Sequence, residues 1–100
     1  MLQLDKELYP KKEKFVGPIL SNNSTCGAII KALEELNPDL QVLQKGAYII
    51  AQAPKRCALS RYTVEIYLGR QFQLPRDLEV NMPSFSGRLF LLRDDAFWLV

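Results

Sequence analysis

Between Ser60 and Pro83 the chain carries a run of stops and starts that leaves few ways to arrange it. Ser60 suits an N-cap, because its hydroxyl can accept from a backbone N–H two or three residues on. Val64, Tyr67 and Leu68 follow at i, i+3 and i+4, which predicts a helix with one apolar stripe. Gly69 stands where a left-handed residue would end that helix. Pro75 fits the first turn of a second, short helix, where a missing N–H costs nothing. Pro83 stops it and favours extended geometry at Met82. Residues 81–87 then read as a polar loop, with an amide at Asn81, hydroxyls at Ser84 and Ser86, and the large ring of Phe85.

The remaining punctuation is similarly legible. Residues 14–20 read as a first strand, and Pro18 makes it an edge strand or one interrupted by a bulge. Asn22, Asn23 and Ser24 offer three caps for a helix running to about Leu36. Its buried face is expected to hold Cys26, Ile29, Ile30, Leu33 and Leu36, with Lys31, Glu34 and Glu35 in water. Asn37-Pro38 ends it. Residues 40–43 and 47–53 are β-prone runs joined through Lys45-Gly46, and residues 57–59 form a brief strand. The last stretch, residues 87–100, predicts a hairpin turning near Asp94-Asp95. It does not alternate: Leu89, Phe90, Leu91 and Leu92 meet Phe97, Trp98, Leu99 and Val100. A strand with one wet face alternates, so either both faces are covered within the domain or another chain covers one. Helices and tail favour internal cover. The order β-α-β-β-β-α-α-β-β predicts an α+β fold, a compact two-layer sheet-and-helix domain with βαββ-like halves.

Composition narrows the function. One hundred residues suffice for a single core, expected over residues 14–100. The polar stretch 1–13 reads as a solvated, mobile tail, with a tail that orders on a partner as the functional alternative. A net charge of +2 is too slight to call for nucleic acid or a membrane surface. No apolar run approaches the roughly 20 residues of a membrane span. The start also lacks a secretory core segment, so the expected location is the cytoplasm. Cys26 and Cys57 have the spacing of neither a metal knuckle nor a redox pair, and read as reduced, buried thiols.

The chain contains no histidine. That excludes imidazole-assisted nucleophiles and an ordinary zinc or diiron site. Glu34-Glu35 and Asp94-Asp95 are adjacent pairs, whose side chains point in different directions. No catalytic residue, cofactor or metal is therefore expected.

The pattern Arg61-x-Thr63-Val64-Glu65, Leu68-Gly69-Arg70-x-Phe72, then Leu78-Glu79-Val80-Asn81-x-x-Ser84-Phe85-Ser86-Gly87 resembles the effector (coupling or regulatory) component of soluble diiron monooxygenases. Val16-Gly17-Pro18-Ile19, Asn37-Pro38 and Gly46-Ala47-Tyr48-Ile49 extend the likeness to roughly residues 15–93. Pro54-Lys55-Arg56 departs from it, since relatives often place a Gly there. The resemblance implies a two-layer fold with some likeness to ferredoxin-like folds. It also implies a non-catalytic protein, a monomer when free, that docks on the diiron hydroxylase of a toluene, phenol, alkene or methane monooxygenase. Such docking tunes dioxygen activation and coupling through linkage: a partner that prefers one hydroxylase conformation shifts the population toward it.

On that resemblance the hydroxylase-binding residues are Asn81, Met82, Pro83, Ser84, Phe85, Ser86 and Gly87, joined by Arg70 and Tyr48. Each has a bland alternative: Phe85 in the core, Ser84 as a turn hydroxyl, Asn81 as a helix C-cap, Arg70 and Arg61 as solvated helix ends. The competing class is a ferredoxin-like nucleic-acid-binding or protein-interaction module. It needs aromatics alternating along a central strand beside a basic groove, and only Tyr48 suits that role.

Overall fold

In the computed structural model, which describes residues 14–100, strand β1 (Phe15–Ser21) feeds directly into helix α1 (Ser24–Leu36). The tail expected at residues 1–13 lies outside the described residues. Asn23 is the cap that α1 uses, its Oδ1 accepting from the Cys26 N–H at 2.8 Å. The helix buries Cys26, Ala28, Ile29, Ala32 and Leu33, a broader stripe than the large residues alone suggest.

Leu36 does not belong to that stripe. It is 45% exposed, and the buried place at the end of the helix goes to Asn37. The Asn37 Nδ2 donates to the carbonyls of Leu33 and Ala58, each at 2.8 Å. Its Oδ1 accepts from the Ala58 N–H at 2.9 Å. One side-chain amide thus satisfies both backbone groups of Ala58 on strand β4 (Arg56–Ser60), doing there what a neighbouring strand would do. Asn37→Ala should cost about 1.5 kcal/mol, because it leaves those part-buried groups without their partner. Urea unfolding checks this, and an unchanged midpoint would contradict the role given to Asn37.

Strands β2 (Gln41–Lys45) and β3 (Tyr48–Pro54) form the expected hairpin, with Lys45 opposite Tyr48. Helix α2 (Arg61–Leu68) and the four-residue helix α3 (Arg76–Glu79) come next, then β5 (Ser84–Ser86), β6 (Arg88–Leu91) and β7 (Asp95–Leu99). The described strands make two antiparallel sheets, ordered β2-β3-β1-β5 and β4-β7-β6. The α+β reading therefore stands, and β1-α1-β2-β3 is the βαββ half it anticipated. One buried cluster spans both sheets and the helices, with Trp98, Phe72, Leu20, Ile29, Leu33, Leu59 and Val64 among its largest members.

Four details depart from expectation. Residues 84–86 are a strand and not a loop. Because β5 pairs with β1, Pro18 lies inside a sheet rather than at its edge. The fold tolerates it because the β1–β3 ladder skips Gly17 and Pro18 between Val16↔Ala53 and Ile19↔Ile50, so no ladder bond is asked of the proline on that side. Ser60 makes no side-chain cap; the Arg61 N–H instead donates to the Asp94 carbonyl at 2.8 Å. Pro75 stands one residue before α3, at its N-cap.

The chain changes sheets at two corners, Lys55 and Gly87, and both have positive φ, 69° and 91°. A lysine thus occupies left-handed backbone, which non-glycine residues seldom adopt. The C-terminal hairpin finds an intermediate answer to its missing alternation. Leu89, Ala96 and Trp98 face the core, while guanidinium groups lie over the outer rings: Arg56 over Phe97 at 5.7 Å and Arg88 over Phe90 at 5.6 Å. Phe90 still exposes 43% of its surface.

Candidate functional site

The residues singled out in the sequence lie around the part of β1 that leads into α1: β5 opposite residues 17–19, Tyr48 opposite Ser21, and Arg70 bonded to the first turn of α1. Short strand β5 carries Ser84, Phe85 and Ser86 opposite Ile19, Pro18 and Gly17, and forms the outer edge of its sheet. Phe85 is 41% exposed, so the core reading does not hold for it. Ser84 is exposed and Ser86 half-buried, while Pro83 is exposed just before them. A strand at the edge of the described sheet, with two hydroxyls and a half-exposed ring, is suited to bind a protein surface.

Asn81 is placed differently. Its Nδ2 donates to the Asp77 carbonyl at 2.8 Å, and its Oδ1 accepts from the Asn23 Nδ2 at 3.1 Å. Its backbone carbonyl accepts from the Ser21 N–H at 3.0 Å and from the Cys26 thiol at 3.6 Å. Its hydrogen-bonding groups are thus spent inside the chain. Met82 is buried, and Gly87 is a corner: a Cβ there would lie 2.7 Å from both the Leu99 carbonyl oxygen and Val16 Cγ1. Both hold the strand in place from its two ends.

Tyr48 and Arg70 extend this region. Tyr48 is 50% exposed and pairs with Ser21, the residue that also binds Asn81. Arg70 lies just beyond Gly69, which closes α2 in the left-handed geometry its position predicts. The Arg70 guanidinium donates to Thr25 Oγ1 at 3.3 Å, on the first turn of α1. Between α1 and α2 lies a hollow of about 470 Å³ whose lining includes Thr25, Lys31, Tyr67 and Arg70. Tyr67 is 41% exposed and off the core, its hydroxyl donating to Glu35. That bond and the nearby acids raise its pKa.

Arg61 proves to be structural. Its Nε and Nη2 donate to Asp94 Oδ1 at 2.9 and 2.8 Å, and Nη1 donates to Glu65 Oε2 at 2.8 Å. Glu65 also accepts from the Phe72 N–H at 2.9 Å, so one arginine ties α2 to the β6–β7 turn and to the chain leaving α2. The bond to Asp94 is the main reason its guanidinium pKa rises further. Sequence reasoning missed this clamp, because Asp94 is 33 positions away and nothing local marks it.

Catalytic chemistry finds little to use here. Among the described residues no three His, Cys, Asp or Glu side chains gather as a metal site. Both cysteines are free and buried. Burial pushes the Cys57 thiol up to about 12 and raises that of Cys26, which keeps both protonated and unreactive near neutral pH. On β3 the exposed-side neighbours of Tyr48 are Ile50 and Gln52, so no row of stacking aromatics forms.

The chain is 32% identical over 88 residues to the effector subunit of the alkene monooxygenase system of Xanthobacter autotrophicus, covering 86% of each protein. Its structure is similar to chains in two structures of a phenol hydroxylase–regulatory protein complex. The first has a TM-score of 0.79 at 26% identity, covering 87% of this chain and 99% of that one. The second has a TM-score of 0.75 at 28% identity, covering 87% and 100%. Soluble methane monooxygenase regulatory protein B shares the fold, with a TM-score of 0.67 at 21% identity over 94% of this chain and 71% of that one. Residues 14–100 match the MmoB/DmpM family, and the chain belongs to it.

Proposed function

We propose that this chain is the effector of a multicomponent monooxygenase, a protein without chemistry of its own that binds a diiron hydroxylase and tunes its dioxygen activation and coupling. The observation that carries this reading is the near full-length likeness to an alkene monooxygenase effector subunit. The edge strand β5 supplies the means: a half-exposed ring and hydroxyls at the edge of a sheet, with Arg70 bonded to the first turn of α1 and Tyr48 opposite Ser21. Ser84, Phe85, Ser86, Pro83, Arg70 and Tyr48 present the surface, while Asn81, Met82 and Gly87 shape it. Residues 14–100 act as one domain. Among the described residues no helix is long and apolar enough to cross a membrane. A cytoplasmic setting suits two thiols kept reduced by burial.

Reconstitution with the cognate hydroxylase and reductase tests the reading. Product formed per reductant consumed should rise with added chain and saturate, while the chain alone forms none. Product yield independent of the chain at every ratio would overturn it.

A further inference from the structure

Strand β5 is held weakly by its own ladder. It has three residues, and its central partner on β1 is Pro18, which has no N–H to give. Its position must therefore be set from its ends. At the C-terminal end stands the Gly87 corner; at the N-terminal end stands Asn81, three residues before Ser84. Asn81 is held by its backbone bonds to Ser21 and Leu78, and its side chain joins a pair of amides. The Cys26 N–H can only donate, so it turns the Asn23 oxygen inward and leaves the Asn23 Nδ2 facing out. The Asp77 carbonyl can only accept, so it takes the Asn81 Nδ2 and leaves that oxygen facing Asn23. The two free ends meet at 3.1 Å.

We propose that Asn23 is a positioning residue for hydroxylase docking, acting through Asn81 as a latch that joins the cap of α1 to the start of the β5 edge. The inference rests on the reading of β5 as the docking strand. Asn23 thereby has two separable jobs. Its oxygen caps α1, which serine or aspartate does equally well. Its amide N–H binds Asn81, which neither replacement can do. Asn23→Ser keeps the cap and opens the latch. Asn23→Asp keeps the cap and sets a carboxylate against the Asn81 oxygen, so it opens the latch more strongly.

The experiment uses the full chain with its cognate hydroxylase. In the free protein, amide exchange at Ser84–Ser86 should quicken in both variants while the α1 amides keep their protection. The effector concentration giving half-maximal stimulation should rise about fivefold, the worth of one hydrogen bond. The same Asn23 substitution made in an Asn81→Ala background should then add nothing, because the latch is already open. A capping role alone would weaken α1 and act equally in both backgrounds. Unchanged exchange at β5, or an undiminished effect beside Asn81→Ala, overturns the latch. Failure of the docking reading looks different: Phe85→Ala then leaves stimulation unaltered, while exchange at β5 in the free protein still reports on the latch.

Discussion

Gly17→Ala is expected to remove about 4 kcal/mol of stability, a large share of the 5–15 kcal/mol that holds a domain together. Two effects add. Gly17 has a φ of 140°, where an L side chain is strained by about 1–3 kcal/mol. A Cβ on it would also lie 2.6 Å from the Ala51 carbonyl oxygen and 3.0 Å from Gln52 Cα. Both are backbone atoms of β3 and cannot swing away, and Cys57 Sγ closes the other side at 3.3 Å. Forcing these apart costs about a further 1–3 kcal/mol. For a domain this small the melting temperature should fall by about 20 °C. Gly27→Ala is the control, since its Cβ would meet nothing within 4 Å on α1 and should leave stability level or slightly raised. If both variants melt within a few degrees of each other, the close approach of β1 to β3 is wrong.

The position of Gly17 also shows where sequence reading ends. The strand around it was legible, because Val16 and Leu20 flank a Gly-Pro pair in a short apolar run. That β1 would be interior was not. An interior proline needs a gap in the ladder, and β1 is interior only because a second strand arrives from residues 84–86, more than sixty positions away. Three residues, two of them serine, carry too little periodicity to announce a strand. The helices were easier. Asn23, Asn37-Pro38 and Gly69 are local signals and act locally. Leu36 failed because the end of α1 buries an amide that β4 needs, and no pattern within the helix records that need.

The candidate site divides in the same way. The sequence singled out the segment from Asn81 to Gly87, but not which of its side chains are spent inside the chain. Whether an asparagine contacts a partner or its own chain is decided by what stands across from it, here Asn23 and Asp77. Exposure of Phe85 is likewise a tertiary result: it lies opposite the buried Pro18, and its ring stays 41% exposed because β5 is the last described strand of its sheet.

Phe85→Ala is the substitution that decides whether β5 docks. As a core residue, Phe85 would cost about 3–5 kcal/mol of stability on truncation. At 41% exposure on an outer strand it should cost under about 1 kcal/mol, so the melting temperature should move by a few degrees at most. Against the hydroxylase the loss should be larger, about 2 kcal/mol or roughly thirtyfold in affinity, as expected of an aromatic anchor in a partner pocket. Ser84→Ala should act in the same direction by less, since a rim hydroxyl contributes about one hydrogen bond. Product per reductant should fall with affinity and recover when excess variant saturates the hydroxylase, because the ring supplies binding rather than chemistry. Thermal unfolding, titration of binding and product yield at saturating effector together separate these effects. A large stability loss with unchanged affinity would return Phe85 to the core. Wild-type affinity and yield in both variants would move the docking surface elsewhere on the chain.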